Sequence, residues 1–132
     1  MQGNVKQAVP FFHVTDMERA LRFYCDGLGA VRSKEWAPEG RIRWCWLELG
    51  EAALMLQTCL PERVQAGATV CFHCSDALAL YHAFLERGVE ATRPFVGNGL
   101  WVTTVTDPDG YRLEFESPTD VEEETVYGGS VE

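Results

Sequence analysis

The chain has 132 residues, 46% hydrophobic and 11% aromatic, enough for a real core in one domain or two closely packed halves and too apolar for extensive disorder. Its formal net charge is −9, but residues 119–132 hold five acids and no base, leaving −4 for the remainder; that balance speaks against nucleic acid or an anionic membrane as partner. No apolar run is long enough for a membrane span, and Met1 to Val9 lacks the basic-then-apolar pattern of a signal peptide, so a cytoplasmic protein is expected.

In chain order, Val9 to Val14 (VPFFHV) reads as an apolar strand that ends at a helix start. Thr15-Asp16-Met17-Glu18 fits a capping box, with the Thr15 hydroxyl as the cap. Met17, Ala20, Leu21, Tyr24 and Leu28 then follow one helical face, and Gly27 and Gly29 suit its C-terminus. Ala30 to Trp36 is a second strand candidate, followed by the turn residues Pro38-Glu39-Gly40. Ile42 to Leu49 and Ala52 to Gln57 form a hairpin around Gly50-Glu51. This completes a β-α-β-β-β unit over residues 1–58, with 59–67 as a polar connector.

The pattern restarts at Thr69 to Cys74, with Ser75-Asp76 as a helix cap and Leu78, Tyr81, Phe84 and Leu85 as an apolar face up to Gly88. Val89 to Val96, Leu100 to Thr106 and Tyr111 to Glu116 are three further strand candidates, so residues 68–118 repeat the first unit. At an offset of 60 residues, Phe12/Phe72, His13/His73 and Asp16/Asp76 are identical, which together with the shared order of elements indicates duplication. Asp107-Pro108-Asp109-Gly110 is a type I turn signature, with Pro at the second position and Gly at the fourth. Residues 119–132 are charge-dense and aperiodic, so this tail is expected to lie outside the main fold. The five cysteines are odd in number and scattered; Cys71 and Cys74 would face opposite sides of a strand, and free thiols are expected.

The fold class is therefore α+β: two tandem β-α-β-β-β modules whose sheets are covered by a helix on one face and curl into a cup on the other. Strand parity sends Pro10, Phe12, Val14, Val70, Phe72 and Cys74 to the helix side. It sends Val9, Phe11, His13, Thr69, Cys71, His73 and Glu114 to the cup. Trp44, Trp46 and Glu48, and likewise Trp101 and Thr103, are expected to join them. Aromatic walls suit flat or cationic ligands, and His13 and His73 could serve as hydrogen-bond partners or proton carriers. Glu114 is the candidate catalytic carboxylate; the alternative is that Arg43 or Arg112 satisfies it. His82 lies off the apolar stripe and is expected at the surface.

The paired modules, the helix entry HVTDMERALRFYCDGLG and the ending VTDPDGYRLEFE resemble the vicinal-oxygen-chelate superfamily, which includes glyoxalase I, extradiol dioxygenases and bleomycin resistance proteins. The resemblance covers about residues 8 to 117. It implies four metal-ligand positions, which fall on Val9, near Met55, near Thr69 and on Glu114; only Glu114 keeps a ligand-type side chain. The usual metal is thus not expected, and no cofactor is implied, with a divalent ion as the alternative. His13 and His73 lie four residues along from their strands' usual ligand positions, about 13 Å away. The resemblance further implies a homodimer binding a small organic ligand at Phe11, His13, Trp44, Trp46, Glu48, His73, Trp101 and Glu114. The competing expectation is a lyase, isomerase or dioxygenase, with an unconventional metal site or metal-free acid/base catalysis at Glu114.

Overall fold

The computed structural model describes residues 3–4, 6–65 and 67–128. The ends assigned above to the first module and to the tail, residues 1–2 and 129–132, lie outside the described residues. Each module folds into a four-stranded sheet. The first comprises β1 (Phe11–Val14), β2 (Val31–Trp36), β3 (Trp44–Leu49) and β4 (Ala52–Thr58), ordered β1-β4-β3-β2. The second comprises β5 (Thr69–His73), β6 (Phe95–Gly97), β7 (Leu100–Thr106) and β8 (Arg112–Pro118), ordered β5-β8-β7-β6. In each, the first and last strands pair in parallel and the others antiparallel. The duplicated plan read from the sequence is the plan of the fold.

Helices α1 (Met17–Leu21) and α2 (Ala77–Glu86) follow the first strand of each module. Asp16 and Asp76 are the N-caps; their carboxylates accept from the Arg19 and Ala79 amides at 3.0 Å. The Thr15 hydroxyl, expected as a cap, instead donates to Asp109 at 2.8 Å, tying the start of α1 to the turn of the other module. The first helix also departs from plain α geometry. Arg22–Gly27 continues it as a π-helical segment, and a wider turn still keeps Tyr24, Gly27 and Leu28 buried.

One core spans both modules. Phe12 stacks on Tyr111 at 4.3 Å between centroids, and Phe115 contacts both Phe72 and Phe84 at 5.3 and 5.1 Å. The Tyr24 hydroxyl donates to Asp107 at 2.7 Å in the interior. Asp107 also accepts from the Asp109 and Tyr111 amides, both at 2.9 Å, and its carbonyl receives the Gly110 amide at 3.0 Å. The predicted turn therefore forms, and its first carboxylate anchors one module to the helix of the other.

Two expectations fail outside the core. Of the strand expected at Val89 to Val96, only Phe95–Gly97 is regular, with a bridge at Ala91 to Val105; Pro94 has no N–H to give a ladder. The tail does not lie apart. Val96 and Glu124 exchange backbone bonds with the segment opposite (Val96 N to Thr125 O, 2.9 Å; Glu124 N to Val96 O, 2.8 Å), and Val126 bridges Phe95. Glu123 accepts the Asn98 and Gly99 amides at 2.9 and 2.6 Å, while Tyr127 meets His82 at 2.9 Å. An edge strand offers unpaired backbone groups, and this segment occupies those of β6 despite its charge.

Candidate functional site

Register decides which side chains share a face, because residues opposite one another in a ladder project to the same side. In the first sheet, Phe11 faces Met55, Met55 faces Trp46, and Trp46 faces Lys34. The next row is His13, Gln57, Trp44 and Trp36. These rows lie opposite the buried Phe12, Val14, Cys45, Leu47, Leu54 and Leu56, so Phe11, His13, Trp44 and Trp46 occupy the open face, with Glu48 beside Ala53. Phe11 and Trp36 stay 44% and 60% exposed. The Phe11 and His13 rings are 5.0 Å apart, and the Lys34 ammonium sits 5.0 Å from the centroid of the Trp46 ring.

In the second sheet, Cys71 faces Glu114, which faces Thr104; His73 faces Glu116, which faces Val102. Trp101 and Thr103 do not join this face. They lie opposite Ser117 and Phe115, on the helix-covered side. Trp101 packs edge-on against Tyr127 at 5.7 Å, and the Thr103 hydroxyl donates to the Thr92 carbonyl at 2.7 Å. The placement of Trp101 in the cup is thus corrected by one residue of parity in β7.

Among the described residues, neither Arg43 nor Arg112 forms an ion pair with Glu114. Its partner is the Cys71 thiol, which donates at 3.4 Å. Burial against the sheet, then the Glu114 hydrogen bond and the Glu116 charge, push the Cys71 thiol up to about 11. Glu116 and Cys71 were absent from the expected ligand-binding set. Cys71 carried cup parity, but only its register against β8 brings the carboxylates to it.

The two histidines line separate hollows. His13 borders a cavity of about 400 Å³ with Gln57, Thr58, Cys59, Leu60, Arg63 and Gln65. His73 lines one with the β3–β4 turn, Phe72, Ser75 and Leu80. A third cleft joins Val9, Pro10 and Ala53 to Val70, Cys71 and Phe72, bringing the edges of β1 and β5 together.

Residues 7–115 match the model of the Glyoxalase/Bleomycin resistance protein/Dioxygenase superfamily, and the chain belongs to this family. Among solved structures, a glyoxalase-related enzyme from Clostridium phytofermentans is 15% identical with a TM-score of 0.74, covering 89% of this chain and 98% of its own. A glyoxalase/bleomycin resistance protein from Catenulispora acidiphila is 26% identical with a TM-score of 0.67, covering 84% and 96%. A bleomycin-binding protein solved with bleomycin is 20% identical with a TM-score of 0.68, covering 86% and 98%. No curated protein matches this sequence significantly. Among the described residues, no helix is long and apolar enough to cross a membrane.

The family's metal set does not fit these side chains. Met55 lies between Phe11 and Trp46, and Thr69 lies opposite Arg112. A thioether in an aromatic row, a valine and a hydroxyl cannot replace the nitrogen and oxygen ligands that a divalent ion takes with Glu114.

Proposed function

We propose that this protein binds a small organic ligand carrying a flat or cationic group against the open face of its first sheet, without the family's usual metal set. One observation carries the reading: two cross-strand rows place Phe11, Met55, Trp46, His13, Gln57, Trp44 and Trp36 on that face, with Lys34 already over the Trp46 ring. A ring face that holds an ammonium accepts other cations, and an exposed contact of this kind is worth only about 0.5–1 kcal/mol, so a ligand can displace it. His13 and Glu48, on the same sheet, supply polar anchors. Similarity to a protein solved with bleomycin supports sequestration over turnover. The protein acts as a homodimer in which each pocket is shared between two chains, as the family resemblance implies.

The test is a titration of tryptophan emission with a flat aromatic cation such as proflavine, followed by calorimetry. Saturable quenching is expected, and Trp46→Ala weakens binding about two- to fivefold, the loss of one exposed cation contact. Absence of saturable binding, or an unchanged affinity in Trp46→Ala, overturns the reading. Sedimentation velocity reads the assembly; a monomer at all concentrations removes the shared pocket.

A further inference from the structure

Two alternate rungs of the β5–β8 ladder, either side of Phe72 and Phe115, bring four metal-ligating side chains to one face. Cys71 stands opposite Glu114 and His73 opposite Glu116, in parallel register. Ligand atoms of Cys71, Glu114 and Glu116 all lie within 4.8 Å of one another. Cys71 Sγ is 3.4 Å from Glu114 Oε1, and His73 Nε2 is 3.9 Å from Glu116 Oε1. Among the described residues, no lysine or arginine pairs with either carboxylate. The group is therefore acidic and contains its own nitrogen and sulfur donors.

We propose that Cys71, His73, Glu114 and Glu116 form a binding site for a borderline divalent cation of the zinc class. The donor set selects the metal. A thiolate and an imidazole suit zinc or cobalt, whereas calcium and magnesium take oxygen ligands almost alone. Tetrahedral zinc with bonds of its usual length sets neighbouring sulfur and oxygen ligands about 3.5 Å apart, and the Cys71–Glu114 separation already has that value. Glu116 already lies within the 4.8 Å group, and His73, outside it, stands 3.9 Å from Glu116. His73 is 76% exposed and free to turn, while Glu116, at 13%, is held by the sheet surface. The ladder supplies rigid spacing, since all four Cα atoms belong to paired strands.

This site is not the family's set moved by a residue. Of the family positions it keeps only Glu114, and it draws nothing from the first module, where Val9 and Met55 have lost donor chemistry. All four of its ligands come from two adjacent strands of one module. It stands without the organic-ligand reading, which rests on the first sheet.

The 132-residue chain, stripped with a chelator, is titrated with Zn²⁺ by calorimetry and with Co²⁺ by absorption. One equivalent of Co²⁺ is expected to give a near-ultraviolet thiolate-to-cobalt band. Cys71→Ser abolishes that band, while His73→Ala and Glu116→Gln each weaken Zn²⁺ binding at least about tenfold. Cys59→Ser, in the connector, leaves band and affinity unchanged. His73 is exposed, so His73→Ala retains the fold even if Cys71→Ser does not, which circular dichroism checks. Absence of stoichiometric binding overturns the proposal. So does a band that survives in Cys71→Ser, or full affinity in His73→Ala. The proflavine titration in chelator reports separately on the first sheet, so the two readings fail independently.

Discussion

Replacing Tyr24 by Phe removes one hydroxyl from a site that water cannot reach. Tyr24 is fully buried and Asp107 nearly so, and the 2.7 Å bond between them links residues 83 positions apart. Burial first, then the Asp107 charge and hydrogen bond, push the Tyr24 hydroxyl far above its ordinary value, so it remains a donor throughout. A hydrogen bond to a charged group contributes about 1.5–3 kcal/mol, and Asp107 keeps two backbone donors in the variant. The expected cost is therefore about 2 kcal/mol at neutral pH, or roughly 7 °C in Tm for a chain of this length. Burial raises the Asp107 carboxyl above its ordinary value. Its folded state thus binds the proton more readily, and stability tied to this carboxyl falls as pH rises from the unfolded value through the folded one. The Tyr24 bond offsets part of that fall by favouring the carboxylate. The Tyr24→Phe cost should therefore be full at neutral pH and shrink toward about 1 kcal/mol near pH 4, where the bond becomes neutral. Urea denaturation of both proteins at the two pH values reads this directly. A neutral-pH cost below about 0.5 kcal/mol, or a cost that grows in acid, would refute the role of Asp107 as a charged inter-module anchor.

Two further substitutions probe contacts between distant segments. A methyl on Gly27 would sit 2.6 Å from Val89 Cγ2, so Gly27→Ala should cost about 1–3 kcal/mol by overpacking. Adding Val89→Ala should recover part of that loss in the same thermal melts; strict additivity would exclude the clash as its cause. Glu123→Ala strips the acceptor from the Asn98 and Gly99 amides. Those two amides should then exchange with solvent several-fold faster, at a stability cost of about 1 kcal/mol, and unchanged exchange would show that the tail does not hold the β6–β7 turn.

Much of this architecture is local and could be read along the chain. The two helix starts, the turn at Asp107 to Gly110, and the apolar stripes depend on neighbours within a few residues, although the first helix is capped by the Asp16 carboxylate and not by the expected Thr15 hydroxyl. The open face of the first sheet followed from parity because Cys45, Leu47, Leu54 and Leu56 alternate cleanly with Trp44, Trp46 and Met55. Parity failed in β7, where Leu100 to Thr106 (LWVTTVT) carries apolar or ambivalent residues on both faces. Thr103 is buried by a hydrogen bond to the Thr92 carbonyl rather than by apolarity. The tail misled for a related reason. Charge density predicts solvation, but Glu123 spends its charge on two turn amides and the backbone around Thr125 pairs with Val96.

The sequence by itself determined the duplicated modules and the family, because each is a matter of residue identity at fixed local spacing. Only the tertiary structure decided what surrounds Glu114. No local pattern sets Cys71 against Glu114 and His73 against Glu116, since their strands lie more than forty residues apart in the chain and a slip of one residue would turn one set of side chains to the opposite face. Register is settled by the packing of Phe72 and Phe115 on the helix side. The carboxylate face is positioned by the core behind it.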